Sequence, residues 1–81
     1  MATSEPPVRF STFVISIATS GMAQLGPEGT GDVVLAQQTL DLLGVLADKT
    51  KGNLDEEESR LLDALRRELG ARVDAAKRSR S

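Results

Sequence analysis

Few side chains in this 81-residue chain are suited to catalysis, because histidine and cysteine are both absent. Their absence removes the usual general base, thiol catalysis, disulfides and the ligands that zinc prefers. A serine nucleophile needs a lysine or carboxylate base, and Ser16, Thr19 and Ser20 lie in a segment without ionisable residues. We interpret these hydroxyls as small packing groups. We therefore expect no enzyme activity, no metal and no cofactor.

Two other patterns resemble binding motifs only in part. The acidic run Asp55-Glu56-Glu57-Glu58 lacks the spacing of the 12-residue calcium-binding loop of an EF-hand. The loop from Gly26 to Gly31 lacks the Gly-Lys-Ser/Thr ending of a phosphate-binding loop. We interpret the acidic run as a helix start, where carboxylates complement the helix dipole, and the loop as a connector.

Basic residues gather in the C-terminal third, although the net charge is −2. That net charge excludes the overall basic field of a dedicated nucleic-acid-binding domain, and two phenylalanines are the only aromatic residues available for base stacking. A local basic patch is left as an alternative, which would contact RNA or the ribosome, an anionic lipid surface or an acidic protein. Its candidate residues are Arg66, Arg67, Arg72, Lys77, Arg78 and Arg80.

Three helices must position these residues. The first lacks any charge between Arg9 and Glu28, so it offers no obvious side to water. About 16 residues rise only about 24 Å, short of a hydrocarbon core of roughly 30 Å, so we expect no membrane span. The predicted segments are a disordered lead at 1–9, a helical domain at 10–76 with helices at about 11–25, 33–50 and 56–76, and a basic disordered tail at 77–81.

Capping residues set the predicted helix boundaries. Ser11 or Thr12 is the expected N-cap of the first helix and Asp32 that of the second. Asp55 and Glu58 form a capping box before the third helix. The expected left-handed cap after the second helix is Gly52.

Glycine interrupts each helix once, at Gly21, Gly44 and Gly70. A glycine inside a helix costs about 1 kcal/mol relative to alanine. Gly21 lies within the apolar arc, so we interpret it as the site of a close helix crossing. Gly70 falls on the polar face, and we interpret it as a tolerated weak spot or an early C-cap.

The second and third helices each have one apolar stripe, so each can cover only part of the first. In the second helix Leu35 and Leu42 belong to that stripe. We predict an all-α, three-helix, hairpin-like module with a central apolar first helix, completed by oligomerisation. The predicted interface with a symmetry mate consists of Phe10, Phe13, Val14, Ile17, Gly21 and Leu25.

Several segments resemble a small bacterial family, domain of unknown function 1844. They are the run from Phe10 to Ser20, Gln38 to Leu46, Lys49 to Leu54 and Glu56 to Leu62, which span about residues 10–70 in the same order. The resemblance implies a bacterial, cytoplasmic, all-helical protein. The family has no established activity, substrate or catalytic residues to carry over to this chain. The basic end of the chain lies outside the family's shared pattern.

The sequence therefore predicts a non-catalytic oligomerisation or protein-interaction module that acts as a scaffold, adaptor or regulatory subunit. Its expected partner is itself, as a homodimer first, with a higher oligomer or another protein left open. The alternative is an RNA- or ribosome-associated accessory protein.

Overall fold

Three α-helices and no strand make up residues 9–26 and 31–80, the part of the chain that the computed structural model describes. α1 spans Phe10–Leu25, α2 spans Val33–Lys49 and α3 spans Glu56–Arg80. The predicted all-α, three-helix fold is confirmed. The predicted lead up to residue 8, the centre of the first connector at 27–30 and Ser81 lie outside the described residues.

Two of the three predicted helix starts are confirmed. The Asp32 carboxylate accepts a hydrogen bond of 2.9 Å from the Leu35 amide at the start of α2. Before α3, the Asp55 and Glu58 side chains each accept from the other's amide, at 2.8 and 3.0 Å, which is the predicted capping box. The prediction of Ser11 or Thr12 as the cap of α1 is wrong. Arg9 is the N-cap, without a capping side chain, and its carbonyl accepts from the Phe13 amide.

The helix ends differ from the predicted ones. Thr50 caps α2, and Gly52, with φ of +88°, lies in the turn that follows rather than directly after the helix. α3 continues to Arg80, past the predicted end near residue 76. Lys77 donates a hydrogen bond of 2.7 Å to the Gln37 side chain, and Arg78 lies 3.1 Å from the Asp74 carboxylate. These interactions support helix over residues that we expected to form a disordered tail.

All three helices contribute to one core, whose largest fully buried side chains are Val14, Leu43, Leu62, Leu69 and Val73. Full burial of such a side chain contributes about 1.5–3 kcal/mol. α1 packs against both α2 and α3. α2 and α3 together do not enclose α1, and the side of α1 that faces away from them stays exposed. This agrees with the prediction that each of these helices has a single apolar stripe and can cover only part of α1.

The helices approach one another closely at Gly21. A Cβ there would lie 2.7 Å from Leu69 Cδ2 on α3 and 3.0 Å from Thr39 Cγ2 on α2. The Thr39 hydroxyl also donates a hydrogen bond of 2.8 Å to the Gln24 side chain. The predicted close crossing is confirmed, and it joins helices of the same chain. It also sets the register, since Gly21 is level with Thr39 and Leu69. The Asp32 amide donates to the Gln24 carbonyl, which joins the start of α2 to the end of α1, so these two helices run antiparallel. Gly44 lies near Arg66, whereas the earlier Gln37 contacts the later Lys77, so α2 is also antiparallel to α3.

Gly70 has no such neighbour, so Gly70→Ala should stabilise the protein. A Cβ at Gly70 would lie 3.8 Å from Leu40 Cδ2, an ordinary van der Waals distance. The helix continues past this position, so it is not an early C-cap. We expect the free energy of unfolding in urea to rise by about 1 kcal/mol, the difference in helix propensity. A lower value would contradict this assignment.

Candidate interaction surface

Half of the predicted interface lies inside the chain. Val14, Gly21 and Leu25 are buried by the chain's own helices, with Val14 completely inaccessible, so they offer no surface to a second copy. This corrects the predicted interface. Helical periodicity identifies the residues that face a neighbour, but it does not say which neighbour covers them.

The other predicted interface residues are partly or largely exposed. Phe10 and Ile17 are half-buried against the core. Phe13 keeps 44% of its surface exposed. Phe13 is therefore the largest apolar group that the predicted set offers to a partner.

Three packed helices leave three lateral faces, each formed by two helices, and two of these faces carry charge. An open groove of about 800 Å³ follows the α2–α3 face, and its charged lining residues are Asp41, Asp48, Asp63, Arg66 and Arg67. Gly44 lies under this groove. A Cβ at this position would lie 3.6 Å from Arg66 Nη2. On the α1–α3 side, Arg72 forms a 3.0 Å ion pair with Glu68.

The α1–α2 face is different, because no charge interrupts its centre. We define it by the exposed residues Phe13, Ser16, Ser20, Leu35, Gln38 and Leu42. The exposed Val45 lies outside this definition, because it lines the α2–α3 groove. The α2 members are spaced three and four residues apart, the repeat of a helix that packs along another helix. The exposed fractions of Leu35 and Leu42 are 43% and 47%. Exposed apolar groups aligned along a helix make this face a candidate interaction surface.

Charges occur only at the two ends of the α1–α2 face among the described residues. Arg9 and Lys49 lie at one end, where α1 begins and α2 finishes. Asp32 lies at the other end, at the start of α2. The face therefore has one positively charged end and one negatively charged end, and its centre is uncharged.

The sequence placed Leu35 and Leu42 in the buried stripe of α2, where the structure exposes nearly half of each. That stripe is too wide for two neighbouring helices to cover. The signal that could have identified these exposed apolar residues is the seven-residue spacing of Leu35 and Leu42, which repeats on the outer side of the helix. α1 has no equivalent signal beyond its lack of charge.

The predicted basic patch is not brought together on one face. Arg72 points to the α1 side of α3, whereas Arg66 and Lys77 lie on the α2 side, against Gly44 and Gln37. Arg67 shares the α2–α3 groove with three aspartates, and Arg78 pairs with Asp74. The side chain of Arg80 lies outside the described residues. Acidic neighbours thus divide the basic residues of α3.

The hydroxyl groups and carboxylates singled out in the sequence lie as follows. Ser16, Thr19 and Ser20 are exposed on the outer side of α1. Within residues 9–26 and 31–80, no cluster of three or more carboxylates is placed to hold a metal ion. None of the helices in this part of the chain has the length and hydropathy needed to cross a bilayer.

Comparison with known proteins gives one match. Neither curated proteins nor solved structures match the chain. A family model matches residues 7–72, which include α1, α2 and most of α3. Because this match covers most of the sequence, the chain belongs to the family described as a domain of unknown function, DUF1844.

Proposed function

We propose that this protein is a non-catalytic assembly module that associates with itself, as a homodimer, and serves as a scaffold, adaptor or regulatory subunit. The observation that supports the proposal is the α1–α2 face, where Phe13, Leu35 and Leu42 are exposed without a charge between them. Apolar surface removed from water contributes about 25 cal/mol per Å². The segment resemblance to bacterial proteins supports a role in the cytoplasm of a bacterium.

Sedimentation equilibrium on the full chain tests the proposal directly. We expect the apparent mass to rise from monomer to dimer over a micromolar concentration series. Circular dichroism on the same samples reports whether the chain is folded. A well-folded monomer throughout the series would overturn the proposal.

Phe13→Glu should weaken the dimer about tenfold or more, because a carboxylate would have to be buried in the interface without a partner. Ile15→Glu is the matched control. Ile15 lies on the same helix with nearly the same exposure, 46% against 44%, but on the α1–α3 side. We expect Ile15→Glu to dimerise like the wild type. Equal dissociation constants for the two variants would show that the α1–α2 face is not the interface.

A further inference from the structure

We propose that the second copy binds the α1–α2 face in an antiparallel arrangement, about a twofold axis perpendicular to the helices. The two α1–α2 pairs then form a four-helix bundle, with each α3 on the outside. This inference rests on the proposed self-association. It specifies which surface of each chain forms the dimer interface, the relative direction of the two chains and the residues that contact each other.

The α1–α2 face has the size that a small dimer requires. Helices of 16 and 17 residues are each about 24–26 Å long, and two neighbouring helices are together about 20 Å wide. The projected area is thus about 500 Å², and a surface of protruding side chains is larger than its projection. This projected area lies just below the roughly 600–1,000 Å² per partner of specific interfaces, so nearly the whole face would have to be buried in the dimer.

Charge favours the antiparallel direction. With Gly21 level with Thr39, the middle of the face lies near Ala18 on α1 and Leu42 on α2. A perpendicular twofold axis at this level brings Lys49 of one copy close to Asp32 of the other. A twofold axis along the helices would instead place Lys49 beside Arg9 of the second copy. Like charges at an interface disfavour that arrangement.

The sizes of the side chains agree with the same direction. The perpendicular axis sets α1 against α1 of the second copy, so Ser16 lies opposite Ser20. Ser16 and Ser20 are exposed, small and uncharged. Small residues let two helices approach closely.

Cysteine cross-linking tests the arrangement, since the chain has no cysteine of its own. In the proposed dimer, Ser16 is offset from its own counterpart by about 6 Å along the helix, and so is Ser20. We expect Ser16→Cys and Ser20→Cys to give cross-linked dimers with a short bismaleimide. Thr19→Cys, equally exposed but on the α1–α3 side of the same helix, should stay uncross-linked.

A charge reversal provides an independent readout. Lys49→Glu should weaken the dimer about tenfold, because it places a carboxylate near Asp32 of the second copy. Lys51→Glu, an exposed residue of the following turn, is the matched control and should leave the dissociation constant unchanged. Both are measured by sedimentation equilibrium at low ionic strength.

The outcomes separate the arrangement from the proposed function. A wild-type dimer in which Thr19→Cys cross-links as well as Ser16→Cys, or in which neither serine variant does, overturns the arrangement and leaves self-association standing. A Lys49→Glu dimer as tight as the wild type also overturns it. A folded wild-type monomer overturns both proposals.

Discussion

Gly31→Ala should reduce the free energy of unfolding by about 3 kcal/mol or more, a large part of the roughly 4–12 kcal/mol expected for a domain of this size. A Cβ at Gly31 would lie 2.1 Å from the Gln24 carbonyl oxygen and 2.8 Å from the Leu25 carbonyl carbon. Both are backbone atoms of the last turn of α1. Neither can move aside as the end of a flexible side chain can.

Relieving this clash would break the junction between α1 and α2. The Gly31 amide donates to the Leu25 carbonyl at 2.6 Å, and the Asp32 amide donates to the Gln24 carbonyl at 2.7 Å. Asp32 is also the cap of α2. A shift of Gly31 therefore disturbs the end of one helix and the start of the next.

Urea unfolding followed by circular dichroism measures this effect, with Gly52→Ala as the comparison. Gly52 also lies between two helices, but it has open space around it and needs only a positive φ, which costs about 1–2 kcal/mol for alanine. We expect Gly31→Ala to be clearly the less stable of the two. If Gly31→Ala stayed within about 1 kcal/mol of the wild type, the close approach at this junction would be disproved.

Leu69→Ala should cost about 3 kcal/mol, the second largest effect that we expect. Leu69 is completely buried and packs onto Gly21, where the three helices meet. Truncating a buried leucine loses the transfer free energy of its methyl groups and leaves a cavity. The effect is measured as the change in the free energy of unfolding, in parallel with the exposed Leu42→Ala, which should cost the monomer much less.

The same pair of residues predicts a coupling. Gly21→Ala alone adds a methyl group 2.7 Å from Leu69 Cδ2, and overpacking of about 1–3 kcal/mol outweighs the gain in helix propensity of about 1 kcal/mol. In the Leu69→Ala background that neighbour is gone. Gly21→Ala should then be neutral or stabilising, which gives an interaction free energy of about 1–3 kcal/mol. Additive effects of the two substitutions would contradict the observed crossing.

Structural features that depend on residues close in sequence, such as the N-caps of α2 and α3, were predicted correctly. Asp32, Asp55 and Glu58 cap their helices through hydrogen bonds within three residues, so their pattern is visible in the chain. The cap of α1 was misplaced because Arg9 offers only its backbone to the helix. Gly21 was identified because it interrupts an apolar arc.

Features that depend on the path of the whole chain were missed. Gly31 looked like one more glycine of a flexible connector, since its approach to Gln24 depends on where α2 turns back. Gly44 had no assigned role, because Arg66 is distant in sequence. Val14 was assigned to a partner copy although α2 and α3 already cover it. Periodicity gives the direction of a side chain and leaves its neighbour to the tertiary structure.

The uneven distribution of charge over the three faces has a consequence for how far the proposed assembly could grow. Growth into a filament requires a second interface that stays accessible after the first is occupied. In the proposed dimer the α1–α2 faces of both chains would be covered, and the sides that bear Asp41, Asp63 and the Glu68–Arg72 pair would face outward. Because charged sides disfavour further addition, we expect the proposed assembly to end at two chains.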